Sequence, residues 1–444
     1  MIGGRPPVTF REALRVWARI GLLSFGGPAG QIATMHRILV EEKRWIGEAR
    51  FLHALNFCML LPGPEAMQLA TYVGWLLHGT RGGIAAGLLF VLPGFFVIVA
   101  LSTLYALGRD LALVATLFYG LKAAVFAVVA EALLRIGKRA LKGRLHLMLA
   151  AAAFVAIFAL GTPFPLIVLA AGIVGLVGAR VRPDLFAPGP RNGAEADDSL
   201  AVGTMAPGES RGLGRSLRVV AAWSALWAAP VLVLTVMFGA GSIYPDLGLV
   251  FSQAAVVTFG GAYAVLAYMA QAAVETLGWL QPGEMVDGLA LAETTPGPLI
   301  LVLTFVGYLA AFRDPGGVSP LMGGFLGAGL TTWVTFVPCF LWIFLGAPYI
   351  EALRHSRALA GALSAITAAV VGVILNLTVW FGLHVVFGEV GERAGVPWPV
   401  WGSVDWVALA MSAVAMVAVL RFHVGIVWTL AGCALAAVVV RMVP

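Results

Sequence analysis

Two Pro-Gly-Pro runs interrupt apolar stretches of the chain, LLPGPEA at residues 60–66 and TTPGPLI at residues 294–300. Proline has no amide hydrogen and its ring clashes with the preceding turn, so each run ends one helix and lets another begin. The amides at the start of a helix have no partner inside it, and the helix dipole is positive there. Such a terminus favours negative charge, so the two runs predict a binding site for a small anion.

A carboxylate lies beside each break. Glu65 directly follows the first Pro-Gly-Pro run, and Glu293 lies three residues before Pro296, where the second run begins. Ionisable residues inside membrane spans are costly, and they are candidates for function by default. Glu65 and Glu293 are therefore candidates for proton coupling. A carboxylate in the first turn of a helix is also favoured as a cap, so both interpretations of Glu65 stay open.

A second kind of break occurs at Phe-Gly-Gly, in SFGGPAG (24–30) and TFGGAYA (258–264). Hydroxyl and amide side chains near the breaks are donors for an oxyanion, although singly such residues more often join helices. The predicted substrate-binding residues are Ser24, Gly26, Gly27, Pro62, Gly63, Pro64, Glu65, Gln68, Lys122, Thr258, Gly260, Gly261, Thr294, Thr295, Pro296, Gly297 and Pro298.

Three basic side chains have a separate interpretation. Lys122 lies within a later apolar span, where it is a candidate counter-charge for a dianion; snorkelling or an internal ion pair is the alternative. Glu131 lies nine residues beyond it, on the opposite face of a helix, so direct pairing of the two is not expected. His36 and Arg37 are candidates for the place where an anion enters or leaves, with an interfacial anchor as the alternative.

The composition places these residues in a membrane. Of the 444 residues, 60% are hydrophobic and 11% are charged, whereas soluble domains carry about a quarter charged residues. The net charge of +6 comes from basic residues in short loops, which is the positive-inside pattern and not a nucleic-acid surface. Three cysteines without CxxC spacing indicate neither a disulfide framework nor a metal site. No catalytic residue, cofactor or metal is predicted.

Apolar windows of about 20 residues predict an all-α polytopic membrane protein of about 13 transmembrane helices. The spans lie near 10–40, 51–78, 82–107, 111–136, 145–160, 163–180, 217–240, 248–271, 285–312, 321–347, 358–385, 404–420 and 424–442. GGPAG interrupts the first, so both a full crossing and a re-entrant segment stay open for 10–40. With the N-terminus inside, 19 of the 28 basic residues lie on the cytoplasmic side and 7 on the other. This bias predicts a cytoplasmic N-terminus and a periplasmic C-terminus.

The two halves of the chain resemble each other. The Phe-Gly-Gly and Pro-Gly-Pro breaks each recur 234 residues on, and TYVGWL (71–76) matches TFVGYL (304–309). The predicted organisation is a repeat at 1–181, a cytoplasmic linker at 182–216, a connecting helix at 217–240 and a second repeat at 241–444. Because an odd number of spans separates them, the six-helix halves are expected in inverted topology, as in many secondary transporters.

These motifs resemble the chromate ion transporter family. The resemblance rests on SFGGPAGQIATMHRILVEEKRWI and LLPGPEAMQLATYVGWLLHGTRGGIAAGLLFVLPG in the first half, and on TFGGAYAVL and AETTPGPLILVLTFVGYLA in the second. It covers most of both halves and points to the long, two-domain form. The resemblance implies export of chromate across the inner membrane, driven by the proton gradient, and chromate resistance. Similar proteins have also been linked to sulfate.

The expected mechanism is alternating access between the two repeats, by a secondary transporter without ATP drive. The alternatives are transport of sulfate or another oxyanion, and an anion channel that uses the same helix termini. An intramembrane enzyme is disfavoured, because the chain has no HExxH motif and its charged residues are dispersed. The expected partners are a small inorganic oxyanion and the lipid bilayer, with no nucleic acid. The sequence leaves open whether the chain forms a homodimer.

Overall fold

The computed structural model describes residues 8–25, 27–109, 111–182, 186, 212–259, 261–349, 357–393 and 395–442. Most of the predicted linker, 182–216, lies outside the described residues, as do Gly26 and Gly260. Among these described residues, six helices are long and apolar enough to cross a membrane: Glu65–Gly108, Ala112–Ala140, Phe164–Val181, Leu213–Phe238, Pro320–Tyr349 and Ala358–Val386. The chain is therefore a multi-pass, mainly α-helical membrane protein, as its composition predicts.

The described residues form sixteen α-helices and one small hairpin of strands. The first half contains α1 (Phe10–Leu23), α2 (Gly27–His36), α3 (Glu48–Cys58), α4 (Glu65–Gly108), α5 (Ala112–Ala140), α6 (Arg144–Leu160) and α7 (Phe164–Val181). The second contains α8 (Leu213–Phe238), α9 (Ile243–Val257), α10 (Ala262–Met269), α11 (Pro282–Thr294), α12 (Val302–Arg313), α13 (Pro320–Gly346), α14 (Arg357–Val386), β1 (Val390–Arg393), β2 (Val396–Pro399), α15 (Trp406–Phe422) and α16 (Ile426–Met442). Turns of π-helix extend α2 (Arg37–Glu42) and α10 (Ala270–Thr276), and a 3-10 turn (Leu299–Leu301) precedes α12.

The segment 10–40 is a helical hairpin. Helices α1 and α2 meet at the first Phe-Gly-Gly break, where Gly27 has a φ of 69°. Glu12, near the start of α1, pairs with Lys43, just beyond the π-helical turn, at 3.0 Å. Both ends of the hairpin therefore lie at the same face of the protein, which we call the N face.

The segment 48–78 is a second hairpin with the first Pro-Gly-Pro run at its tip. The chain turns at Gly63, whose φ of 115° is one that glycine adopts readily. Helix α4 then returns toward the N face and kinks at His78 and Gly79. At the kink, His78 Nε2 lies 2.8 Å from the carbonyl oxygen of Val8, at the start of the first hairpin.

The second half also contains two hairpins, and we call the face at which they begin and end the C face. Helices α9 and α10 form one hairpin, and α11 and α12 form another. The open ends of the two hairpins lie together: Tyr244 donates to the Pro315 carbonyl at 3.2 Å, and Arg313 donates to the Trp279 carbonyl at 2.7 Å. Arg109, at the end of α4, pairs with Glu284 in the first turn of α11. Beyond its kink, α4 therefore runs from the N face to the C face.

Three segments predicted as crossing spans thus fold back on themselves, 51–78, 248–271 and 285–312, and so does 10–40, for which a re-entrant segment was the open alternative. The physical reason is the break inside each one. Glycines with positive φ reverse the chain at Gly27, Gly63, Gly261 and Gly297, and the prolines prevent the preceding helix from continuing. A hairpin of two short helices contains as many apolar residues as one tilted crossing helix, so an apolar window cannot separate the two.

Small residues let the helices around the hairpins approach closely. In α1, Gly21 lies against the Leu89 carbonyl of α4, so a side chain at Gly21 would begin 2.1 Å from that oxygen. In α14, Gly372 meets α6 in the same way, with the Ala150 carbonyl at 2.0 Å from the same position. Close packing of this kind through glycine is usual between membrane helices. It joins the first hairpin to α4, and α14 to α6.

Candidate functional site

The tips of the four hairpins meet in the interior, and they pair crosswise between the halves. The amide of Gly63, in the first Pro-Gly-Pro run, donates to the carbonyl of Thr258 beside the second Phe-Gly-Gly break, at 2.9 Å. The amide of Gly297, in the second run, donates to the carbonyl of Ser24 beside the first break, at 2.7 Å. Each Pro-Gly-Pro tip is thus bound to the Phe-Gly-Gly tip of the other half.

Helices α4 and α13 also contact the tips, and each contacts the Pro-Gly-Pro tip of the other half. Gly94 of α4 lies so close to the second Pro-Gly-Pro run that a side chain there would begin 2.1 Å from the Pro296 carbonyl oxygen. Cys339 of α13 lies against the first run, with its Sγ 2.9 Å from where a side chain on Gly63 would begin. The two positions correspond in the repeat, since each follows a proline inside its helix (Pro93 and Pro338).

Two buried glutamines brace the tips. Gln31 of α2 donates through Nε2 to the carbonyl of Gly297 at 2.6 Å, which ties the first hairpin to the second Pro-Gly-Pro run. Gln68 donates through Nε2 to the carbonyl of Pro62 at 2.6 Å, within its own hairpin. The Oε1 atom of Gln68 is buried and has no hydrogen-bond partner in the described structure. It is an unused acceptor beside the first run.

The hydroxyls predicted to bind an oxyanion are bonded to their own helices. Ser24 donates to the Ile20 carbonyl at 2.7 Å, and Thr258 donates to the Ala254 carbonyl at 2.5 Å. Thr294 and Thr295 both donate to the carbonyl of Leu291, and Thr294 is exposed. These hydroxyl protons satisfy carbonyls at helix ends, as serine and threonine often do. The donors left for an anion are therefore the backbone amides.

Helix α4 begins at Glu65, directly after Pro64, as the sequence predicts. The first intrahelical bond runs from the Gln68 amide to the Pro64 carbonyl, so the amides of Glu65, Ala66 and Met67 have no partner within the helix. After Pro298 the chain forms a 3-10 turn from Leu299 before α12 begins. Pro62, Pro64, Pro296 and Pro298 thus frame two helix starts, both in the protein interior.

Both coupling candidates approach the second Phe-Gly-Gly break. Oε1 of Glu65 lies 3.9 Å from where a side chain on Gly261 would begin. Glu293 is buried, and its Oε1 accepts a hydrogen bond from Tyr263, two residues beyond Gly261, at 2.8 Å. Its Oε2 is buried without a hydrogen-bond partner in the described part of the chain. Two carboxylates, one from each half, therefore lie beside one tip.

Lys122 is held in an ion pair. Its Nζ lies 3.5 Å from Oδ1 of Asp287 on α11. Glu131, as expected, does not contact Lys122; it pairs with Arg135 at 3.4 Å, one turn along α5. The internal pair that was the alternative for Lys122 is the arrangement observed. In this conformation the amine balances a protein carboxylate and does not face the hairpin tips with a free charge.

His36 and Arg37 lie at the N face, among carboxylates. The His36 ring contacts Glu48 at 2.5 Å and Glu41 at 3.1 Å. Arg37 lies 3.7 Å from Glu42 and is exposed. The pair therefore lies at the mouth of the first hairpin, remote from the tips. A role for them in anion access stays a prediction.

Sequence reasoning missed three residues: Tyr263, which donates to Glu293; Asp287, which pairs with Lys122; and Tyr105, which donates to Asp287 at 2.8 Å. A signal was present for Asp287, because it is a carboxylate inside an apolar window and such residues are functional candidates by default. Neither tyrosine gave a signal of this kind. Their positions depend on which helices pack together.

Comparison with known proteins shows the family of the chain. A sequence model described as "Chromate transporter" matches residues 11–176 and 245–438, one segment in each half. The chain belongs to the chromate transporter family. The chromate transport protein of Pseudomonas aeruginosa is 35% identical over 387 residues, covering 84% of this chain and 81% of that protein.

Two further relatives align over similar lengths. The chromate transport protein of Cupriavidus metallidurans is 29% identical, covering 84% of this chain and 83% of its own length. The probable chromate transport protein of Synechococcus elongatus is 28% identical, covering 85% and 86%. No solved structure matches this member of the chromate transporter family.

Proposed function

We propose that this chain is a secondary active transporter that exports chromate across the inner membrane and so gives chromate resistance. The proposal draws its substrate from the relatives named as chromate transport proteins. The observation that carries the mechanism is the crosswise pairing of the four hairpin tips through the Gly63–Thr258 and Gly297–Ser24 bonds. This pairing brings the helix start after Pro64 and the helix start after Pro298, one from each half, together in the interior.

The proposed topology is an inverted repeat of the predicted organisation, residues 1–181 and 241–444. The hairpins of the first half start and end at the N face, and those of the second half at the C face. Each half crosses the membrane two times fewer than predicted, because two of its predicted spans are hairpins. Since this number is even, the second half still enters the membrane from the side opposite to the first. The halves are then related by an axis in the membrane plane, which is common in secondary transporters.

The N face is proposed to be cytoplasmic. Folding the first two predicted spans into hairpins places Lys43, Arg44 and Arg50 at the N face. The basic residues remaining at the opposite face are then Arg109, Arg313, Arg393 and Arg441. This asymmetry is larger than the one that the predicted spans give, and it agrees with the positive-inside rule.

The proposed chromate site lies between the helix starts after Pro64 and Pro298. A tetrahedral dianion presents four oxygens, which suit backbone amides that converge from several directions. Because Ser24, Thr258 and Thr295 donate to their own helices, the amides supply the binding. In alternating access, the two halves would move relative to each other around this site, exposing it to one face at a time.

Two driving forces act in the same direction. The potential of a cell that is negative inside favours export of an anion by about 2.3 kcal/mol per charge per 100 mV. Proton antiport through Glu65 and Glu293 would add to this, and the position of both carboxylates beside the Gly261 tip supports it. Substrate and proton would then compete for the same small region.

The test is uptake of radiolabelled chromate by everted membrane vesicles, with sulfate, molybdate and phosphate as competitors. We expect saturable uptake that is stronger for chromate than for sulfate. Robust sulfate uptake without chromate uptake would show that the protein transports sulfate and not chromate. In proteoliposomes, an imposed proton gradient should drive chromate against its own gradient; a channel can only let chromate run down its electrochemical gradient.

A further inference from the structure

Helix α11 carries two buried carboxylates, Glu284 and Asp287, that the proposed coupling does not use. Asp287 is 4% exposed and lies five residues after Pro282, where the helix begins at the C face. At a rise of about 1.5 Å per residue, it lies about 7 Å along the helix. Asp287 is thus between the C face and the tip that carries Glu293.

The partners of Asp287 come from the other half of the protein. Lys122 of α5 places its Nζ 3.5 Å from Oδ1, and Tyr105 of α4 donates its hydroxyl to Oδ2 at 2.8 Å. Oδ1 accepts no hydrogen bond from the described residues. The amine also lies against the backbone of α11, since a side chain at Gly283 would begin 2.8 Å from Nζ. One carboxylate therefore fastens a second-half hairpin to two first-half helices.

The other charged side chains near Asp287 pair with one another. Glu284, on the same helix, accepts from Arg109 of α4, from Arg313 of α12 and from the Gln281 amide. Both guanidinium groups are thus bound to Glu284. Of the basic side chains in the described structure, Lys122 is the one paired with Asp287. Adding a proton to Asp287 would remove the ion pair and leave the ammonium group of Lys122 without its counter-charge.

We infer that Asp287 is a further proton-binding residue of the transport cycle, on the C-face side of the central tips. This inference rests on the proposed proton-coupled export. A proton from water at the C face adds to Oδ1, and the contact with Lys122 breaks. The carboxyl group becomes neutral, and α11 is no longer fastened by charge to α4 and α5. When the proton returns to water, the carboxylate pairs with Lys122 again.

The physical argument is the cost of a buried ion pair in its two protonation states. A paired carboxylate and ammonium hold each other in place, whereas breaking such a pair leaves an uncompensated buried charge. The protonated state therefore favours a conformation in which water reaches Lys122, whose side chain is already 28% exposed. Proton binding and movement of the α11–α12 hairpin are then the same event.

The experiment measures chromate uptake in everted vesicles while the pH of the lumen, which contacts the C face, is varied from about 6 to about 8. For the wild-type protein we expect the initial rate to change at least about threefold, since Asp287 takes up its proton from this side. Asp287→Asn should remove the part of this response that Asp287 contributes and leave that of Glu65 and Glu293, because the asparagine side chain stays neutral. Asp287→Glu should restore it, which a merely structural ion pair does not require.

Glu284→Gln is the matched control, because it neutralises a buried carboxylate three residues away on the same helix. It should lower the amount of folded protein but keep the response to lumen pH. Lys122→Met tests the pair independently of Asp287 substitutions and should also lose the part of the response that Asp287 contributes. A wild-type response that persists in Asp287→Asn overturns the inference while leaving chromate export intact. Absence of chromate uptake by the wild-type protein overturns the proposed function itself.

Discussion

Tyr263 donates its hydroxyl to Glu293 at 2.8 Å, and it lies two residues beyond the glycine that faces Glu65. The carboxylate from the second Pro-Gly-Pro hairpin and the carboxylate from the first therefore meet at one Phe-Gly-Gly tip. Neither is hydrogen-bonded to a basic side chain among the described residues. A tip that bears two such groups is a place where charge can change while the halves move.

Glu65→Gln and Glu293→Gln test whether these carboxylates carry the transported proton. Glutamine is close in shape to the protonated acid but does not titrate, so we expect each variant to change the pH dependence of chromate efflux. The rate measured from about pH 6 to about pH 8 reports the change. Tyr263→Phe is the companion variant, since it removes the donor and keeps the carboxylate. An unaltered pH profile in both glutamine variants would remove them from the coupling role.

Gly94→Ala tests the contact between the crossing helix α4 and the second Pro-Gly-Pro tip. A methyl group there would begin 2.1 Å from the Pro296 carbonyl oxygen, so the helix and the tip must separate. We expect a destabilisation of about 1–3 kcal/mol, the usual cost of overpacking, and a large loss of transport. Gly108→Ala, in the same helix, meets its nearest atom at 3.7 Å and should behave like the wild type. Equal behaviour of the two variants in thermal unfolding and transport would contradict the packing described.

Gln31→Leu tests the bond that joins the first hairpin to the second Pro-Gly-Pro run. The substitution leaves the carbonyl of Gly297 buried without this donor, which costs about 1–3 kcal/mol. Because the bond bridges the two halves, we expect transport to fall more than the amount of folded protein. Gln253→Leu is the control, since Gln253 is exposed and bonds only within its own hairpin, to Tyr268. A larger effect on transport at Gln253 than at Gln31 would argue against a central role for this bridge.

Single cysteines at Arg44, Arg81 and Arg109 test the hairpin topology, in a background lacking Cys58, Cys339 and Cys433. If residues 10–40 and 51–78 are hairpins, a membrane-impermeant thiol reagent should reach positions 44 and 81 from the same side. Position 109, at the end of α4, should react from the other side. Labelling of positions 44 and 81 from opposite sides would instead support crossing spans. Intact and everted vesicles provide the two orientations.

The positions of the breaks could be predicted from the sequence because proline and glycine act locally. Proline at 64 forbids the preceding helix from continuing, and α4 accordingly begins at Glu65. The repeat also predicted that the breaks of the two halves occupy corresponding places, since the motifs recur at one offset. The sequence did not predict the direction in which the chain continues after each break. Contacts such as Glu12 with Lys43, which the local sequence does not specify, reveal that the chain turns back.

The ion-pair partner of Lys122 likewise could not be predicted from the local sequence. Helical spacing correctly separates it from Glu131, which pairs with Arg135. Its actual partner, Asp287, belongs to the other half and approaches only because α5 packs against α11. Likewise, the hydroxyls of Ser24 and Thr258 were candidate donors by type, but each lies one helical turn beyond a carbonyl that needs a donor. Residue type identifies the donors, and packing decides how they are used.

The hairpins also bear on how the protein is inserted during synthesis. In the proposed topology, the charged loop that contains EEKRW, between α2 and α3, stays on the side of the ribosome. Both first-half hairpins can then enter the bilayer without moving that loop through the translocation channel. Their backbone breaks become sheltered only when the second-half tips arrive and supply the Thr258 carbonyl and the Gly297 amide. The first half is therefore expected to remain incompletely assembled until the second half has been made.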